Sequence, residues 1–188
     1  MQSKLFTPRF FFISLMIILV AFSRIIPHPF NFTSLSAICI FGSAYFTKKW
    51  QAFVIPFAAT WLSDLFINNV IYHQYYPTFT WFYEGIFSLY ASYLLIAMVS
   101  LLIFKNKVNT TRIVGASLSA TVIFFLVSNF GCFVNAPEYP QNFSDLMACY
   151  AAGIPFIKNS LLGDLFYSGV LFGAYYFATW KLPSLVKA

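Results

Sequence analysis

Charge is scarce in this sequence. Only 9% of its 188 residues are charged, where soluble domains carry roughly a quarter. A water-soluble fold would have too little polar side chain to cover its surface, so part of its solvent must be lipid. Catalytic signatures are missing too. There is no GxSxG, P-loop or GxGxxG, which excludes nucleotide hydrolysis within this chain. The two histidines, His28 and His73, form no HxxxH or HExxH, so metal-ligand spacing is lacking. No cofactor is implied. Three cysteines, Cys39, Cys132 and Cys149, make no CxxC and no paired framework. They read as small packed side chains, and although Cys132 and Cys149 flank one loop, no disulfide is expected. Low-complexity segments and internal repeats are absent. The formal charge is +6, but the basic residues stand singly or in pairs between apolar segments, which excludes a nucleic-acid partner.

What is present is apolar. The chain is 60% hydrophobic and 22% aromatic, with mean hydropathy +0.76. A bilayer core about 30 Å thick needs roughly 20 apolar residues per helix. The expected spans cover about 8–26, 33–47, 50–71, 82–104, 110–134 and 156–180. The second is short, so tilt or snorkelling of Lys48 and Lys49 must complete it. Pro155 opens the sixth, in a place where helices accept proline. Ala21-Phe22-Ser23 loosely resembles a signal-peptidase site, but the first segment is expected to stay as a span. The expected fold is an all-α integral membrane protein of about six transmembrane helices, forming one transmembrane domain over 1–188.

Six spans put both termini on one side. Lys4, Arg9, Lys48, Lys49, Lys105, Lys107, Arg112, Lys181 and Lys187 then share one face, with Arg24 and Lys158 towards the other. The positive-inside rule makes the first face cytoplasmic, as in a multi-pass protein of the bacterial inner membrane. Asp64, Glu84, Glu138, Asp145 and Asp164 fall in the outer half. The segments 27–32, 70–81 and 134–155 are outer. Within the last, Ser144 to Ala152 reads as a short separate helix, with a serine cap and an acid in its first turn, closed by Gly153 and Pro155.

Intramembrane charge points to function by default. Arg24 and Asp64 each lie about 21 Å along their helices, and Asp164 about 12 Å from the outer end of its own. All three share one layer, so Arg24 is expected to pair with Asp64, Asp164 or both. The pair either locks helices together or floors an outward-facing pocket. Above that layer stand Asn31, Asn68, His73, Glu84, Asn129, Tyr139, Asp145, Cys149, Tyr150 and Asn159. Aromatics among them fit an interfacial belt. Amides interleaved with aromatics also fit a small-molecule site. Gly115, Ala116, Ser119 and Ala120, the Gly169-Val170-Leu171-Phe172-Gly173 GxxxG, and Ala37, Gly42 and Ala44 are small-residue faces. Internal packing is their expected use, with docking of a partner membrane subunit as the alternative.

A string of motifs covers nearly the whole chain: His28-Pro29-Phe30-Asn31-Phe32-Thr33, Ser63-Asp64-Leu65-Phe66, Ser128-Asn129-Phe130, Tyr139-Pro140, Cys149-Tyr150, Ile154-Pro155-Phe156 and Gly163-Asp164. It resembles an uncharacterised family of bacterial membrane proteins labelled putative transport proteins. The chain departs from that pattern at Ile67-Asn68-Asn69, with His73 later than the family's histidine. The architecture also resembles the S components of energy-coupling-factor vitamin transporters. That resemblance implies a small vitamin-like ligand bound near the outer surface, and a transmembrane coupling subunit with ATPases as partners. Its AxxxA face is expected on the first helix and is missing there, though Ala116 and Ala120 have that spacing on the fifth. The leading expectation is therefore a non-enzymatic uptake component using Arg24, Asp64, Asp164 and the residues above them. An acidic lining would favour a cationic ligand. The alternatives are a membrane enzyme acting on a lipid or polyprenyl substrate through Asp64 and Asp164, and a structural membrane subunit.

Overall fold

The computed structural model describes residues 7–76, 78–135 and 141–182. Among these residues the regular structure is entirely helical. Helix α1 (Pro8–Phe22) starts with Pro8 in its first turn and with the Thr7 hydroxyl accepting from Phe10 N at 3.2 Å, a cap followed by the residue that needs no N–H partner. It tightens into a 3-10 turn at Ser23–Ile25. Next come α2 (Leu35–Tyr45), α3 (Gln51–Phe66), α4 (Ile86–Ile103), α5 (Thr110–Asn135) and α6 (Phe143–Lys181). Helix α3 continues through a π-helical turn at Ile67–Ile71, closed by Tyr72 N on Ile67 O at 2.8 Å. The C-terminal ends of α1, α3 and α5 and the N-terminal ends of α2, α4 and α6 lie at the end of the bundle away from Thr7, here the distal end.

Five of these helices are long and apolar enough to cross a membrane. The expected second span is the exception. Helix α2 has 11 residues, about 17 Å, little more than half a bilayer core. Every residue from Leu35 to Ser43 is buried, and α2 packs against all five other helices. A helix apolar on all sides is a core helix, so tilt and snorkelling are not needed. Small side chains let neighbours close in. Gly42 faces the Pro56 ring of α3, where a Cβ would lie 3.2 Å from Cγ. Ser43 Oγ donates to Ala97 O of α4 at 3.2 Å, and Ser34 Oγ to Val20 O of α1 at 2.8 Å, hydrogen bonds of the kind that join helices in lipid.

Helix α6 also differs from the expectation. The separate helix expected at 144–152 and the break at Gly153 and Pro155 are not there. Helix α6 runs unbroken for 39 residues with Pro155 inside it, a length of about 58 Å. Its cap is Asn142, whose side chain accepts from Asp145 N at 3.0 Å. Proline loses only one backbone bond, and membrane helices tolerate that when neighbours support the turn. Here α5 supplies the support: Tyr150 Oη donates to Leu126 O at 2.8 Å, and Cys149 Sγ to Asn129 O at 3.3 Å.

The small-residue faces divide. Ala37, Ala116 and Ala120 are each at most 1% exposed, so the AxxxA pair on α5 is spent inside the bundle. Gly115, Gly169 and Gly173 face open space, against the expectation of internal packing. At the end near Thr7, two arginines close helices. Arg9 Nη2 donates to Tyr45 O, the last residue of α2, at 3.0 Å, and Arg112 Nη1 to Ile103 O, the last of α4, at 2.8 Å. Cations satisfy terminal carbonyls in this way.

Candidate functional site

The site begins with a turn. Between α1 and α2, Phe32 N donates to Pro29 O at 3.0 Å, and Asn31 takes φ 61°. Asparagine tolerates this left-handed backbone better than most residues. Asn159 Nδ2 of α6 donates to Phe30 O at 3.1 Å, and the Phe30 ring meets Phe156 at 6.4 Å. The turn is thereby held over the distal ends of α4, α5 and α6.

Beneath it lies a cavity of about 310 Å³. Helix α5 contributes Phe124, Phe125, Ser128, Asn129 and Cys132 to the lining; α6 contributes Gly153, Phe156, Ile157 and Ser160; Leu89 of α4 and Asn31 of the turn complete it. Spacing explains the two walls. Ser128 and Cys132 lie one turn apart on α5, as do Gly153, Ile157 and Ser160 on α6, so each set shares a helix face. Gly153 is needed for fit: a Cβ there would sit 2.3 Å from Asn129 Oδ1. Three polar side chains are anchored to their own helices. Ser128 Oγ donates to Phe124 O at 2.6 Å, Asn129 Nδ2 to Phe125 O at 2.7 Å, and Ser160 Oγ to Phe156 O at 3.3 Å. No charged residue is among the lining groups, so the expected acidic lining is replaced by a neutral one.

The buried charges lie elsewhere. Arg24 Nη1 meets Asp64 Oδ1 at 2.6 Å and donates to Ser63 Oγ at 3.1 Å. Asp64 Oδ2 and Tyr90 Oη are buried without a hydrogen-bond partner among the described residues. Asp164 is not Arg24's partner in this arrangement: its Oδ2 accepts from Thr121 Oγ1 at 2.8 Å. Tyr93 links this region to the cavity, stacking on the lining residue Phe124 at 6.1 Å with the rings 15° apart.

Of the residues singled out from sequence, Asn31 and Asn129 line the cavity. Asn159, Cys149 and Tyr150 brace its rim through the bonds to Phe30, Asn129 and Leu126. Asn68 is buried in the π turn of α3. His73 and Glu84 are exposed in the α3–α4 connection. Asp145 belongs to the cap of α6, with Asn142 Nδ2 donating to its Oδ2 at 2.5 Å. Tyr139 and Glu138 lie outside the described residues. The cysteines at 39, 132 and 149 are free, with Cys132 exposed. Sequence reasoning passed over Leu89, Phe124, Phe125, Ser128, Cys132, Gly153, Phe156, Ile157 and Ser160 as site residues. The available signal was weak: polar or small residues recurring at helical spacing on two hydrophobic helices.

The chain belongs to a family of unknown function, DUF6580, whose model matches residues 4–185. Neither comparison with curated proteins nor comparison with solved structures finds a match.

Proposed function

We propose that this member of a family of unknown function is a membrane-embedded binding component for uptake, which captures a small vitamin-like or cofactor-precursor molecule in the distal cavity. The observation that carries this reading is the cavity. It combines three phenylalanine faces with two amides and two hydroxyls in about 310 Å³, within the range of ligand pockets of roughly 300–1,000 Å³. A turn tied to α6 lies across it.

We place the distal end outside and both termini in the cytoplasm of a bacterial cell, in its inner membrane. Lys48, Lys49, Lys105 and Lys107 sit in the connections at the opposite end, in agreement with the positive-inside rule. Energy would come from separate chains, a transmembrane coupling subunit and ATPases, as the likeness to S components suggests. The enzymatic alternative gains no support from its two acids, since Arg24 engages Asp64 and Thr121 engages Asp164.

The test pairs binding with transport. Purified protein is screened by thermal shift against vitamins and cofactor precursors, and uptake of any stabilising compound is measured with and without the gene. Stabilisation by one compound and loss of its uptake are expected. No stabilisation across the panel, together with unchanged uptake, defeats the proposal.

A further inference from the structure

We infer, resting on the reading of the distal cavity as a ligand site, that its ligand is an uncharged molecule the size of one substituted ring, which presents N–H or O–H donors to the α5–α6 wall. Three observations carry this.

The first is size. A volume of about 310 Å³ equals that of about ten waters at roughly 30 Å³ each. One ring with its substituents fits within it. Phe124, Phe125 and Phe156 offer aromatic faces against which a ring can stack or stand edge-on.

The second is charge. No Asp, Glu, Lys, Arg or His lines the space. An ion entering it would lose water and find no countercharge, and burying an unpaired charge is strongly unfavourable. The nearby buried charges do not offer one: Arg24 and Asp64 neutralise each other at 2.6 Å, and Asp164, one turn beyond Ser160 on α6, lies outside the lining with Thr121 Oγ1 donating to its Oδ2 at 2.8 Å.

The third is the polarity of the wall. The hydroxyl protons of Ser128 and Ser160 are committed to Phe124 O and Phe156 O, each four residues back. A hydroxyl has one proton, so both serines have only lone pairs left to offer the cavity. Asn129 gives an amide proton to Phe125 O. A carbonyl can only accept, so that bond fixes which end of the amide is Nδ2. Its Oδ1 then lies towards α6, across the notch left by Gly153. The helix wall is therefore rich in acceptors. Asn31, on the turn, adds an amide that can also donate. A donor-bearing edge facing α5 and α6, with an acceptor towards the turn, matches this pattern.

The experiment uses four probes on one ring: benzamide, N,N-dimethylbenzamide, benzoate and benzamidine. Their affinities for the purified full chain are measured by ligand-observed NMR titration. Benzamide, neutral with N–H donors, is expected to bind at least tenfold more tightly than the other three. Ser128→Ala and Ser160→Ala are each expected to weaken benzamide by roughly three- to tenfold and to leave the dimethyl compound unchanged. If benzoate, benzamidine or the dimethyl compound equals benzamide, the ligand class is overturned while the cavity remains a binding site. If benzamide wins but neither serine variant weakens it, the acceptor wall is overturned. If none of the four binds at millimolar concentration, the inference fails, and the vitamin panel decides separately whether the uptake proposal stands.

Discussion

Arg24 Nη1 lies 2.6 Å from Asp64 Oδ1, joining the 3-10 turn after α1 to the last turn of α3. The two side chains are only 16% and 4% exposed. Paired burial offsets the desolvation of both ions; removal of one partner strands the other. Asp64→Ala should therefore cost about 3–5 kcal/mol, while Arg24→Met combined with Asp64→Leu should cost less than either single change. Unfolding in detergent tests this, with Asp64→Ala compared with the parent and with Arg24→Met, Asp64→Leu and their combination analysed as a double-mutant cycle. Equal stability of Asp64→Ala and the parent chain would show that the pair contributes nothing.

Glycines separate close approach from open surface. A Cβ at Gly131 would fall 2.0 Å from Ser88 Oγ and 2.2 Å from its Cβ, whereas Gly173 faces open space. Gly131→Ala must force α5 away from Ser88 and should destabilise by about 1–3 kcal/mol. Gly173→Ala should be neutral or stabilising by up to about 1 kcal/mol, because alanine is the better helix former. Thermal unfolding of both variants gives the comparison, and loss of stability in Gly173→Ala would reveal a contact not made within one chain.

Asn31 holds φ at 61° in the turn over the cavity. A β-branched residue is poorly accommodated there, and glycine is free of the strain. Asn31→Val should lower stability by about 1–2 kcal/mol, with Asn31→Gly near the parent value. If both variants weaken benzamide equally, the amide rather than the backbone is what the ligand uses.

Cys132 is exposed and lines the cavity, whereas Cys39 and Cys149 are buried. A polar maleimide should label one cysteine in the native protein and all three after denaturation. A membrane-impermeant maleimide applied to intact cells should reach Cys132 if the distal end is outside. Protection of the outside-exposed thiol by a bound ligand would tie that ligand to the cavity; labelling only from the cytoplasmic side would reverse the orientation.

Tyr83, in the α3–α4 connection, is pushed above the ordinary phenol value of 10.0, chiefly by burial, with Asp64 adding to the effect and Arg24 opposing it. The folded state thus favours the neutral phenol. That contribution is intact below about pH 10, the value in the unfolded chain, and is lost as the pH rises towards the folded value. Stability should fall above about pH 10, and Tyr83→Phe should flatten the fall. Melting temperature measured from about pH 8 to 11 in both proteins checks it.

Much of the helix content was legible. The expected spans at 50–71 and 110–134 correspond to Gln51–Ile71 and Thr110–Asn135, because lipid demands long apolar runs and polar connections. The layer shared by Arg24 and Asp64 could be read from rise per residue alone. Which acid Arg24 would take could not, because Asp164 stands at a similar depth. Thr121 on the facing helix settles that choice by giving Asp164 another partner. Helix α4 begins at Ile86 rather than near 82 because Gly85, at φ 81°, turns the chain into it.

Composition and hydropathy by themselves determined that the chain is helical and suited to crossing a membrane several times. They also marked a few polar residues as out of place in lipid. Only the tertiary structure decided that α2 is a central core helix, that α6 passes through Pro155, and that Ser128, Asn129 and Ser160 wall a neutral cavity. The reason is physical. Lipid and protein interior are both apolar, so hydrophobicity cannot tell a spanning helix from an enclosed one. A proline stops a helix only when no neighbour supports the turn. A cavity is the space between helices, and its lining depends on how each is rotated against the others, which no single helix encodes.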